Sequence, residues 1–354
     1  MTAVLVVGGY GTFGVHVCRE LAKLGIPVVV AGRDGVQARK LAEQLGPGHR
    51  GREVDVKQAD SCRSAFQDCR VAINCAGPFQ SLGSGLLDAC LAARCHYIDI
   101  ADDRRYATMV RGYAAQYRDA ELAAVYGCSS LPGISAALGL IAQHGATTMP
   151  ERARVTLFIG NDNPKGQAAM QSLLGALGQP IASPQGTLLG FRDREVVELP
   201  PPFGSRGVFN FDSPDYDVLP TLLGVRAVSV KVGFELRLAT YGIAFLAWLG
   251  IPLGPGSAWL LELPSRLLRG IGTSGGAVMT ELFYPDGRKR TAAIVAGKNG
   301  QRMAALPAVF VARKLLAAPS AFHGVGIAHD VLGAKELIEA LVEQGYDFEC
   351  HPHH

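Results

Sequence analysis

The chain is short of charge and of aromatic rings. Charged residues make up 18% of its 354 positions and aromatic ones 7%. No Lys/Arg stripe with interleaved aromatics occurs, so no nucleic-acid partner is expected. Its eight cysteines (Cys18, Cys62, Cys69, Cys75, Cys90, Cys95, Cys128 and Cys350) contain no Cys-x-x-Cys pair. That leaves no disulfide framework, zinc site or other metal to expect. Most of these thiols fall inside apolar runs, where a free cysteine behaves as a small hydrophobe. The first strand begins almost at Met1 with no signal peptide before it, and together these features set the expectation of a reducing cytoplasm. Internal repeats and low-complexity tracts are also missing. The closing "HPHH" is given no function. What the chain has instead is apolar residues, 48% of them, over a length that suits two domains.

Short apolar runs at 3–8, 27–31, 52–56, 70–76, 96–100 and 121–126 alternate with helical patterns near 12–24, 35–45, 60–67, 84–93 and 104–119. Continuous rather than alternating hydrophobicity is what a parallel strand needs when helices cover both faces. Pro132-Gly133 then opens another apolar helix. From about 151 the strands lengthen and alternate, at 152–159 and 225–238. Residues 277–284 and 289–296 flank Pro285-Asp286-Gly287, which reads as a hairpin turn. The expected fold is α/β: a Rossmann-type doubly wound parallel sheet at 1–145, then an α+β domain at 146–302 on a mostly antiparallel sheet. Residues 303–354 are expected to pack back on the first domain and to include a short last strand.

"GGYGTFG" at 8–14 follows a strand and opens a helix, so Gly9, Gly11 and Gly14 fit G-x-G-x-x-G in its required context. Gly9 would permit the tight turn, and Gly11 would let a pyrophosphate approach the backbone. Gly14 would let the helix pack closely while its N-terminus presents amides to the phosphates. The intervening Tyr10, Thr12 and Phe13 belong to the same loop. An NAD site would carry an acid at the end of the second strand. Here that place reads Ala31-Gly32-Arg33-Asp34, and the Arg33 guanidinium suits a phosphate, which points to NADP. Asp34 would either accept from the ribose or cap the next helix.

In an open parallel sheet ligands lie beyond the carboxyl ends of the strands. Asp55-Val56 at one end would flank the adenine. Ala76-Gly77-Pro78-Phe79 has the small residues that a nicotinamide ribose needs. Asp99 and Asp102 sit where a carboxylate meets a substrate, or else cap a helix. Tyr106 is a second candidate proton donor beside Asp102. Cys128 lacks an evident base, His96 reads as structural, and His323 and His329 lie in a late loop. Residues 239–261 hold no charge but are broken by Pro252 and Pro255. They read as a buried helix pair or dimer interface in preference to a membrane- or lipid-facing surface.

The runs "VLVVGGYGTFG", "AGRD", "AINCAGPF", "GLLDACLAARCHYIDIADD" and "GCSSLPGISAALG" together resemble the saccharopine dehydrogenase-like family of NADP-linked oxidoreductases over roughly the first 140 residues. The resemblance implies a Rossmann domain followed by a substrate and dimerisation domain, hence a homodimer. It implies NADP on Gly9, Gly11, Gly14 and Arg33, the Ala76–Phe79 loop beside the nicotinamide, and Asp99 with Asp102 or Asp103 near a small-molecule substrate. Ser129 departs from the family, standing where its final loop often carries Asp. The expected chemistry is hydride transfer to or from a C=N or C–N bond. The alternatives are a trans-acting enoyl-type reductase of a lipid- or polyketide-like C=C substrate and a non-catalytic NADP-binding scaffold.

Overall fold

The computed structural model describes residues 3–58, 65–66, 68–164, 166–249 and 270–353. Most of the helix expected at 60–67, residues 250–261 of the uncharged segment, and the terminal His354 lie outside the described residues. The chain forms two compact units, Met1–Ser129 with Ala304–Gly333, and Ser130–Met303 with Ala334–His354. The boundary expected at 145/146 therefore falls at 129/130. The C-terminal segment is shared, with 304–333 in the first unit and 334–354 in the second.

The first unit is built on strands β1 (Ala3–Val7), β2 (Val28–Gly32), β3 (Arg50–Glu53), β4 (Cys69–Asn74), β5 (His96–Asp99) and β6 (Ala123–Val125). Helices α1 (Gly14–Lys23), α2 (Gly35–Leu45), α3 (Gly85–Ala92), α4 (Arg104–Arg111) and α5 (Ala114–Asp119) lie between them. The strands pair in parallel in the order β3-β2-β1-β4-β5-β6. β1 and β2 are buried at every position, as β-branched runs covered on two faces must be. Two features differ from the sequence reading. The third strand runs 50–53 rather than 52–56, and at Gly51 a Cβ would stand 2.3 Å from the Arg39 nitrogen of α2, so edge strand and helix meet backbone to backbone. A seventh strand far along the chain, Gly324–Gly326, joins β6 in parallel.

The second unit carries a mixed sheet. Its members are β7 (Arg152–Ile159), β10 (Glu195–Leu199), β11 (Gly204–Asn210), β12 (Ala227–Phe234), β13 (Gly276–Phe283), β14 (Lys289–Ala296) and β16 (Asp347–His353), in the order β10-β11-β12-β7-β13-β14-β16. The strand Gly324–Gly326 is thus β15, and Pro180–Ser183 with Gly186–Leu189 form a separate two-stranded ribbon, β8 and β9. Only β12 with β7 is parallel. The last strand, expected on the first domain, instead pairs with β14 here. Helices α6 (Ser135–Gln143) and α8 (Asp215–Leu223) pack on this sheet, and α12 (Ala334–Glu343) packs on α6. Helix α7 (Gln167–Gly175) precedes the ribbon.

The expected strand at 225–238 stops at Phe234, and helix α9 (Arg237–Leu249) begins the uncharged segment. Its inner face, Ile243 and Ala247, packs with Phe191, Phe209 and Val232. Its outer face leaves Tyr241, Phe245 and Trp248 40%, 57% and 61% exposed, the Tyr241 ring meeting Phe209 edge-on at 6.2 Å. Among the described residues no helix is long and apolar enough to cross a membrane. Helices α10 (Gly300–Ala317) and α11 (Ala328–Leu332) complete the elements described.

Candidate coenzyme site

The parallel register brings the strand ends out level: Val7 stands beside Ala31 on one side and Asn74 on the other, and Asn74 beside Asp99. The glycine loop, Gly32-Arg33, the Ala76–Phe79 loop and Asp99–Asp102 therefore leave one edge of one sheet. The order reverses between β1 and β4, which is where doubly wound sheets bind ligands.

The glycines divide the work differently from the sequence reading. The left-handed turn falls on Gly8, with φ +74°, and not on Gly9. Gly9 is required for space, since a Cβ there would lie 2.9 Å from both Val30 Cγ1 and the Val6 carbonyl oxygen. A Cβ on Gly14 would stand 2.1 Å from the Gly8 carbonyl oxygen, so the start of α1 rests on the loop backbone. Gly11 donates its N–H to Gly8 O at 2.9 Å and closes the turn. The α1 N-terminus and a loop with glycine at 8, 9, 11 and 14 fit a pyrophosphate.

At the end of β2, Arg33 is exposed. Asp34 takes the helix-capping role left open above. Its carboxylate accepts the N–H groups of Val36 and Gln37 at 2.9 and 3.0 Å and the Gln37 side-chain amide at 3.0 Å. The Gln37 backbone N–H is the largest cause holding this carboxyl below its ordinary range. Asp34 is thereby committed to the start of α2. Asp55 is engaged in a local turn, accepting the Lys57 N–H at 3.0 Å and the Gln58 side-chain amide at 3.3 Å, and Val56 follows it half-buried.

The Ala76–Phe79 loop is held through Asn74, to which the sequence reading gave no role, and Tyr106, which it took for a proton donor. Asn74 Oδ1 accepts the Ala76 N–H at 3.1 Å, while Asn74 Nδ2 donates to the hydroxyls of Tyr106 at 3.0 Å and Tyr97 at 3.4 Å. The two hydroxyls are 2.8 Å apart, and the Tyr106 ring lies 5.1 Å from that of Phe79. The available signal was an amide ending a mostly apolar strand.

The candidate acids separate. Asp99 is fully buried and accepts the N–H groups of Ala101 and Gly127 at 2.9 and 2.8 Å through one oxygen. Its Oδ2 has no hydrogen-bond partner. Burial raises its pKa to about 7 against the pull of those two amides and of the nearby Tyr97 hydroxyl. Asp102 is exposed. Asp103 caps α4, accepting the Tyr106 N–H at 2.8 Å. Tyr106 is buried, and desolvation pushes its hydroxyl pKa up. Cys128 is buried, with its thiol pKa raised well above normal by burial, which suits a packed side chain and not a nucleophile. His96 accepts the Ala123 N–H at 3.0 Å, and burial lowers its pKa to about 4. His323 is exposed and His329 half-buried. Among the described residues no group of three or more His, Cys, Asp or Glu could hold a metal ion.

Residues 4–125 match the family described as Saccharopine dehydrogenase NADP binding domain. Among curated proteins none matches the chain. Among solved structures it is similar to the apo histidine-tagged saccharopine dehydrogenase (L-Glu forming) from Saccharomyces cerevisiae, with 11% identity and a TM-score of 0.70 over 99% of each chain. That likeness shows the fold. A 3-hydroxyacyl-CoA dehydrogenase type-2 from Mycobacterium avium is similar over 35% of this chain and 70% of its own, at 15% identity and a TM-score of 0.32, too low to carry an argument. Residues 4–125 thus match an NADP-binding domain, whose cofactor is NADP, and the chain shares its fold end to end with that saccharopine dehydrogenase.

Proposed function

We propose that the chain is an NADP-dependent oxidoreductase that transfers hydride to or from a C=N or C–N bond of a small molecule. The observation that carries the reading is the shared sheet edge, where a glycine loop at a helix N-terminus stands level with Arg33 and the Ala76–Phe79 loop. Bound NADPH supplies the hydride. The backbone of residues 9–14 would hold the pyrophosphate and Arg33 the 2′-phosphate, with Asp55-Val56 flanking the adenine. Asn74 and Tyr106 brace the Ala76–Phe79 loop that borders the nicotinamide. In the reducing direction the carbon takes the hydride and the nitrogen a proton, and Asp102, the exposed member of the three candidates, is the assigned donor. Asp99 and Tyr106 are buried and act as positioning residues. A homodimer in the cytoplasm is the proposed setting.

One observation favours a second reading. The outer face of α9 exposes Phe245 and Trp248 beside an open pocket of about 480 Å³ that mixes Phe191, Phe209 and Trp248 with Thr187, Arg192 and Asp193, and it is the exposed aromatic face that suits an apolar acyl or polyketide-like enoyl substrate. A screen of NADPH oxidation separates the cases. Turnover with preformed imines or keto-acid and amine pairs supports the first. Turnover only with enoyl thioesters, rising with chain length, replaces it by the second. Tight NADPH binding without turnover of either class leaves a non-catalytic NADP protein.

A further inference from the structure

The residue between the first two glycines of the loop has no fixed part in such motifs, yet here it reaches across to the second strand. The Tyr10 hydroxyl accepts the Asp34 N–H at 2.9 Å. Its ring covers Gly32 so closely that a Cβ there would stand 2.5 Å from Tyr10 Cε1 and 2.7 Å from Cζ and from the hydroxyl oxygen. Tyr10 thus spans both neighbours of Arg33, resting on Gly32 and holding the peptide of Asp34.

Two consequences follow from elementary chemistry. A phenol that accepts one N–H keeps its own proton to donate elsewhere. That proton lies at the Gly32-Arg33-Asp34 backbone, at the strand end where the adenosine ribose binds in doubly wound sheets. The position that recognises NAD in such sheets is an acid at the end of the second strand. At Gly32 neither Asp nor Glu fits unless the Tyr10 ring is displaced, and Asp34 is committed to its helix. We propose that Tyr10 sets coenzyme choice: its hydroxyl donates to the 2′-phosphate alongside Arg33, and its ring excludes the carboxylate that an NAD site would use. The proposal rests on the reading that this loop binds NADP.

The test is calorimetry with NADPH and NADH on the full chain. Tyr10→Phe keeps the ring and removes the hydroxyl. A lost hydrogen bond to a charged group implies a rise of roughly tenfold in the NADPH dissociation constant, with that for NADH unchanged. Phosphorus NMR of bound NADPH gives a second readout, since the 2′-phosphate resonance shifts in Tyr10→Phe while the pyrophosphate resonances stay in place. The double variant Tyr10→Ala with Gly32→Asp gains NADH affinity, whereas Gly32→Asp alone weakens both coenzymes. Equal weakening of NADPH and NADH in Tyr10→Phe, or no change in either, overturns the proposal. Arg33→Ala separates the failures: if it weakens NADPH selectively while Tyr10→Phe does nothing, the coenzyme reading stands and the role of Tyr10 falls. If the unaltered chain binds neither coenzyme, both fall.

Discussion

The inner strands β1 and β2 of the parallel sheet and the strands of the mixed sheet place their charges in opposite ways. In the parallel sheet, β1 and β2 hold no ionisable residue, and the polar groups of interest begin where pairing ends, at Gly32-Arg33, Asn74 and Asp99. In the mixed sheet, charges sit within the strands and meet across them. Lys231 Nζ lies 2.7 Å from Glu195, whose other oxygen lies 2.9 Å from Arg154. Arg154 in turn lies 2.7 Å from Glu281, and Glu281 lies 3.0 Å from Lys289. Lys231 and Glu281 are each only 2% exposed. A strand covered on both faces has no wet side, so its chemistry moves to its ends. A strand with alternating faces can bury a charge only if the neighbouring register supplies its partner. The first arrangement leaves an edge that suits a ligand. The second makes a structural lattice, and the two should respond differently to substitution.

The largest expected effect is at the ligand edge. Gly14→Val places a side chain against the Gly8 carbonyl oxygen, 2.1 Å from the position of its Cβ. NADPH binding should vanish in calorimetry while urea unfolding loses only about 1–3 kcal/mol, the usual cost of overpacking. Retained binding would break the contrast at its functional end. The lattice should show the reverse pattern. Glu281→Gln strips the shared carboxylate from Arg154 and Lys289 and should cost about 3–5 kcal/mol in urea unfolding, with the NADPH dissociation constant unchanged. A loss under about 1 kcal/mol would mean that these pairs act like exposed surface bridges.

Asp99 gives a subtler, pH-dependent test. Its pKa in the folded chain, about 7, lies above the ordinary carboxyl value near 4. Below pH 4 the group is protonated folded or unfolded and costs nothing. As pH rises from 4 through 7, the unfolded chain ionises first, so stability falls by an amount on the order of a few kcal/mol. Asp99→Asn keeps an oxygen for the Ala101 and Gly127 amides and should flatten that fall, unfolding at higher temperature than the parent at pH 8 and about equally at pH 4. Parallel pH profiles for the two proteins would show that Asp99 does not titrate in this window.

Much of the first unit was legible because its signals are local. The apolar runs forecast five of the strands within a few residues, and "GGYGTFG" after a strand marked the loop. The edge strand misled because Arg50 and Gly51 carry no apolar signature; β3 begins there because Gly51 lets α2 approach. Asp99 looked like an acid at a strand end, and only the fold shows Ala101 and Gly127 closing over it. In the second unit β7 was read as it stands, and so was the hairpin at 284–288, where Gly287 takes φ +85°. The destination of the last strand was not legible, since β16 pairs antiparallel with β14 about fifty residues earlier.

The sequence by itself determined the repeating strand and helix pattern, the glycine loop and the arginine after the second strand, because each depends on residues within a few positions of one another. Tertiary structure alone decided that Gly8 makes the turn, that Tyr10 covers Gly32, and that Asn74 braces the loop after it. It also decided that Arg154 finds Glu281, 127 residues away. Those choices depend on which backbone segments lie side by side. That is settled by burial and strand register over the whole chain, which no local stretch of residues contains.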